Sequence, residues 1–151
     1  MSSFKKILLC YDSTREGARA LRQGADLAQQ LGAETHLLAI VANPTAVISD
    51  GAGGTVVTLP QQEETAQNLL DYGVSRLREL GLTATGHLAF GQPIQEIPAA
   101  AHELGVDLIV VGHKTRSAFA RWWSGPGESR LLDLVSCCVL VAIDPADAGS
   151  T

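Results

Sequence analysis

Four stretches of strand length are aliphatic at every position instead of every second one. They are Ile7-Leu8-Leu9-Cys10, Leu37-Leu38-Ala39-Ile40-Val41, Leu108-Ile109-Val110-Val111 and Val139-Leu140-Val141-Ala142-Ile143. Unbroken hydrophobicity of this kind marks strands covered on both faces, as in a parallel sheet with helices above and below it. A fifth stretch, Leu82 to Phe90, behaves differently: Thr83, Thr85 and His87 alternate imperfectly with Leu82, Ala84 and Leu88. That pattern predicts a half-covered edge strand.

The segments between these runs have helical period. Ser13-Thr14-Arg15-Glu16 matches a capping box, and the helix it opens puts Ala18, Leu21, Ala25, Ala28 and Leu31 on one stripe before stopping at Gly32. A second helix is expected from about Gln61 to Leu80, with Ala66, Leu69, Gly73, Leu77 and Leu80 inward and Gly81 as terminator. Pro93 suits the first turn of a third helix, and Pro98 predicts a bend or a short first segment within it, because it removes one ladder bond. A fourth helix is expected from about Gly127 to Ser136. The alternation predicts an α/β fold: a single doubly wound, open five-stranded parallel sheet with helices on both faces and right-handed connections. With 151 residues, 46% of them hydrophobic, one core and one domain are expected, over residues 1–144 with a tail at 145–151.

Several function classes are disfavoured. No run reaches the length of a membrane helix, and Met1-Ser2-Ser3-Phe4 leads into a strand without a cleavage site, so a cytoplasmic protein with no membrane partner is expected. A net charge of −5 argues against nucleic-acid binding. Cys10, Cys137 and Cys138 form no C-x-x-C and read as buried reduced thiols, while His36, His87, His102 and His113 lack ligand spacing, so no structural metal is expected. The last strand is wholly apolar yet should lie at a sheet edge. Apolar edges invite pairing, which predicts a homodimer through Val139, Leu140, Val141, Ala142 and Ile143, with complete coverage by the fourth helix as the less favoured alternative. The Gly-, Pro- and Ser-rich stretch 42–60 is either a lid or a disordered loop, and both readings stay open.

Chemistry is expected in Asp107 to Gly127. Here a strand ends at Gly112, and a second small-residue cluster, Gly125-Pro126-Gly127, precedes a helix. Such a succession can cradle an oxyanion on backbone amides and a helix N-terminus. Ligands of open α/β sheets sit beyond the strand C-termini, which places Asp12 and Gly112 on the flanks of the crevice. Between His113 and Arg130 four cations, Lys114, Arg116, Arg121 and Arg130, face Glu128 alone. A basic patch on an acidic chain suits a small anion, and a solvated loop with incidental charges is the plain alternative. Trp122-Trp123 could stack on a base or anchor a partner, though packing under the last helix or plugging the pocket mouth is the preferred reading. A triad of Ser117 or Ser124 with His113 and Asp12 lacks any G-x-S-x-G context.

Lys5 to Ser13, the Gly91-Gln92-Pro93 turn, Asp107 to Gly112 and Cys137 to Val141, taken in order, resemble the universal stress protein family over nearly the whole chain. The resemblance implies the Rossmann-like architecture of the adenine-nucleotide alpha hydrolases and a stress-response or regulatory role. In ATP-binding members a glycine, two residues, a glycine, nine residues and a glycine followed by serine or threonine form the phosphate loop. Here Gly112 takes the first position, Thr115 the second glycine, Gly125 the third and Pro126 the hydroxyl residue. The resemblance thus implies an ATP or AMP site made of Asp12, Ser13, Val41, Gly112, His113, Lys114, Thr115, Arg116, Gly125, Pro126 and Gly127, with Asp12 toward the nucleoside and the Val41 backbone toward adenine. Thr115 resists a positive φ, Pro126 removes up to two donors, and Glu128 repels phosphate at close range, all of which favour a mononucleotide over tight ATP binding. The alternative is a nucleotide-free interaction protein whose altered loop binds a regulatory protein partner. Weak ATP hydrolysis or autophosphorylation is a third reading, for which no acidic pair near the loop supplies the metal-bound phosphate it needs.

Overall fold

The computed structural model of the protein describes residues 4–12, 15–41, 59–113 and 134–143. Five strands, β1 (Lys6–Tyr11), β2 (Glu34–Val41), β3 (Ala84–Phe90), β4 (Leu108–His113) and β5 (Cys138–Ile143), form one sheet in the order β3-β2-β1-β4-β5. Every neighbouring pair is parallel. Helices α1 (Arg15–Ala20), α2 (Arg22–Leu31), α3 (Leu59–Glu79) and α4 (Pro93–Leu104) fill the connections. Chain direction along the sheet reverses once: β1 leads to β2 and β3 on one side, and the chain then crosses to β4 and β5 on the other.

The unalternating strands divide their residues between two cores. Ile7, Leu9 and Tyr11 of β1 join Leu21, Ala28, Leu70 and Leu77 on the face carrying α1, α2 and α3. Leu8 and Cys10 join Ile94, Ile97 and Ala101 of α4 on the other. Each fully buried Leu or Ile contributes about 1.5–3 kcal/mol, so β1, in the middle of the sheet with core on both sides, is the most strongly held element. Its start is pinned as well: the Asp107 carboxylate accepts from the Lys5 and Lys6 backbone N–H groups at 2.8 and 3.0 Å.

Three expectations change in detail. The first helix is two, broken at Leu21, whose φ and ψ of −73° and −6° stay right-handed but whose N–H reaches back only three residues, to Ala18 O at 3.2 Å. The tight turn lets Leu21 press against the sheet at Gly112, while the apolar stripe on both segments keeps its register. In α3 Ala66 and Leu77 are buried as expected, with Leu70 and Val74 beside them, whereas Leu69 and Gly73 are half-buried and Leu80 is 40% exposed. In α4 the helix runs unbroken through Pro98. Gly32 and Gly105 end α2 and α4 in left-handed conformation, with φ of 61° and 66°. Only Cys10 of the three thiols is buried; Cys137 is half-buried and Cys138 exposed, and all three are free. The expected capping box at Ser13, the stretch 42–58, the greater part of the fourth helix and the tail lie outside the described residues.

Candidate functional site

At the reversal between β1 and β4 the two strands run side by side, with Cys10 opposite Val111 and Tyr11 opposite Gly112. Asp12 follows directly on β1, half-buried, and His113 closes β4 beside Ile143 of β5. Val41 ends β2 one strand away, opposite Phe90. The fold therefore gathers Asp12, Val41, Gly112 and the backbone of His113 at one end of the sheet. Ser13, Lys114, Thr115, Arg116, Gly125, Pro126 and Gly127 lie outside the described residues, as do Glu128, Trp122 and Trp123.

Two of the gathered residues are engaged locally. A Cβ on Gly112 would stand 2.7 Å from the Gly17 carbonyl oxygen and 2.7 Å from Leu21 Cγ. Glycine is needed there so that α1 can close on the sheet. The Val41 carbonyl accepts the Gly91 N–H at 3.1 Å, which continues the β2–β3 ladder by one bond beyond Phe90. Gly91 holds φ at 147°, a conformation that favours glycine. One of the two lone pairs of that carbonyl is thus spent within the sheet.

Two polar features of the fold match none of the sequence motifs. Tyr11 is 1% exposed, and its hydroxyl has no hydrogen-bond partner among the described residues. Burial above all, and then the charges of Asp12 and Asp71, push its pKa well up, so the phenol keeps its proton. A tyrosine in an otherwise aliphatic, doubly covered strand was the available signal. His36 and His87, 51 positions apart, meet at 3.0 Å between Nδ1 and Nε2, and His36 Nε2 lies 2.9 Å from Glu34 Oε2. Nothing in their spacing pointed to this pairing, since it depends on the β2–β3 register. Among the described residues no cluster of three or more His, Cys, Asp or Glu side chains is arranged to hold a metal ion, and no helix is long and apolar enough to cross a membrane.

The model of the universal stress protein family matches residues 3–142 of the chain. The chain belongs to the universal stress protein family. Universal stress protein YxiE of Bacillus subtilis is 27% identical over 147 residues, which cover 91% of this chain and 98% of that protein. In fold, this universal stress protein is similar to a family member from Burkholderia pseudomallei, with a TM-score of 0.67, 24% identity and coverage of 93% and 97% of the two chains. It is also similar to a family protein from Arabidopsis thaliana solved with AMP bound, with a TM-score of 0.64, 13% identity and coverage of 97% and 96%. For a universal stress protein, the strand ends that carry Asp12, Val41 and Gly112 are the natural place to look for a ligand, because the sheet reverses its connection there.

Proposed function

We propose that this universal stress protein is a dimeric regulatory module that takes an adenine mononucleotide at the C-terminal ends of β1, β2 and β4. The observation that carries the reading is the placement of Asp12 beside Gly112 at the single reversal of the sheet. The AMP bound by the Arabidopsis protein, similar to this chain in fold, supports the choice of ligand. Asp12 is the group for the ribose hydroxyls, the free lone pair of Val41 for the base, and the loop after His113, with Lys114 and Arg116, for the phosphate. Binding at that loop would change the surface that a partner protein reads. Titration calorimetry with AMP, ATP and cyclic AMP tests the proposal. Heat from AMP that is lost in Asp12→Ala is the expected result, and silence from all three at millimolar concentration overturns it.

A second reading is favoured by the local roles found for two of the expected site residues. Gly112 is explained by its contact with Gly17 and Leu21, and the Val41 carbonyl already holds Gly91, so neither needs a nucleotide to account for it. On this reading the loop with Thr115 and Pro126 is a protein-contact surface and the protein binds no nucleotide. The double variant Thr115→Gly, Pro126→Ser then gains AMP binding that the parent lacks, whereas on the first reading the parent already binds.

A further inference from the structure

Strand β3 turns into α4 through Gly91, and a carbonyl and a carboxylate meet at that glycine. The Gly91 N–H donates to the Val41 carbonyl at 3.1 Å. Its φ of 147° disfavours any side chain, and a Cβ built there would stand 2.8 Å from Glu96 Oε1. The Glu96 carboxylate therefore lies where a side chain at position 91 would have to go. Glu96 itself is half-buried in the first turn of α4, and its carboxylate has no hydrogen-bond or ion-pair partner among the described residues.

The corner is rich in acceptors. The Val41 carbonyl points toward β3, because Gly91 is its partner, and it keeps one lone pair. A carboxylate accepts and does not donate. A carbonyl and a carboxylate on one glycine suit a group that carries N–H bonds in two directions, which is what an exocyclic amino group on an aromatic base offers. The plain alternative is that Glu96 only complements the positive end of the α4 dipole, as acids in a first turn do.

We propose that Glu96 is the specificity-determining residue of the nucleotide site. Together with the Val41 carbonyl it reads the 6-amino group of a purine, so the site takes AMP and rejects IMP, which carries an oxo group at the same place. This rests on the reading that a mononucleotide binds at the strand ends. The ends of β3 and β1 are two strand spacings apart, about 10 Å, which accommodates a nucleoside with its base edge at Gly91 and its ribose at Asp12. The Glu96 carboxylate also repels phosphate, so it directs the phosphate end away, toward β4. An oxo group at this corner would set acceptor against acceptor, the mismatch that a site built on hydrogen bonds discriminates best.

Titration calorimetry of the full chain with AMP and with IMP, on the parent and on Glu96→Gln, tests the proposal. The parent should bind AMP about tenfold or more tighter than IMP. Glutamine keeps the shape of Glu96 and adds an N–H donor, so Glu96→Gln should bind IMP severalfold tighter than the parent does and AMP severalfold weaker. The ratio of the two affinities decides. An acid that serves only the helix dipole would lower the unfolding midpoint when replaced and leave that ratio unchanged. If AMP binds but the ratio is the same in both proteins, or if the parent binds AMP and IMP equally, the inference is overturned and the nucleotide site stands. If the parent binds no AMP, both fall. Were the variant not to fold, the preference of the parent would still decide.

Discussion

Gly112 illustrates how one position can satisfy two readings. In the sequence it stands at the first glycine of a phosphate loop, and in the structure its missing side chain is what admits Leu21 and the Gly17 carbonyl. Backbone at 2.7 Å cannot yield as a flexible side chain can. Gly112→Ala should therefore destabilise the fold by about 1–3 kcal/mol, read as a fall in the midpoint of thermal or denaturant unfolding, even in nucleotide-free protein. A variant as stable as the parent would show that α1 packs less closely than described. Asp12 was legible because it directly follows an aliphatic strand, and strand ends are readable. The Tyr11 hydroxyl was legible only as a polar atom in an aliphatic strand, because what faces it is decided once α3 is in place.

At the scale of elements, the β2–β3 pair contains a polar chain inside an otherwise apolar architecture. Lys6 Nζ lies 3.4 Å from Glu34, Glu34 accepts from His36, and His36 meets His87 across the strands, with ring centroids 5.2 Å apart. If His36 donates from Nε2 to Glu34, its Nδ1 accepts from His87, and a proton on both rings would set N–H against N–H. Burial, and then the neighbouring His36, lower the pKa of His87 below its ordinary 6.5, with Glu103 opposing. The sign follows: as pH falls through 6.5 the unfolded chain takes up this proton first. Stability present above that pH is lost through the window between 6.5 and the lower folded value. Unfolding midpoints should fall between pH 7 and pH 5, with a shallower slope in His87→Gln; parallel slopes in the two proteins would remove His87 as the cause. The edge character of β3 was readable from its imperfect alternation. The break in the first helix was not, because the apolar stripe passes through Leu21 in register and only the contact with Gly112 shows why the chain turns there.

At the scale of the molecule, the sheet has two edges of different character. Strand β3 presents Thr85 and half-buried His87, whereas β5 presents Leu140 and Val141, 41% and 38% exposed and on opposite faces of the sheet. Apolar groups on both faces of an unpaired edge strand favour pairing with a second copy, which is the basis for the dimer proposed above. Sedimentation of the protein at micromolar concentration should give a dimer, and Leu140→Lys with Val141→Lys should give a monomer of unchanged helix content. A monomeric parent would confine β5 to this chain alone.

The order of elements and the double cover of β1, β2 and β4 were determined by the sequence. Each follows from local patterns: apolar runs of strand length, a 3.6-residue stripe, and glycines that end helices. The tertiary structure alone decided which residues meet across the sheet. Register brought His36 to His87, and the close approach of α1 gave Gly112 its packing role. Such contacts join positions tens of residues apart, and a chain read in order carries no measure of how its helices will be spaced once the sheet is formed.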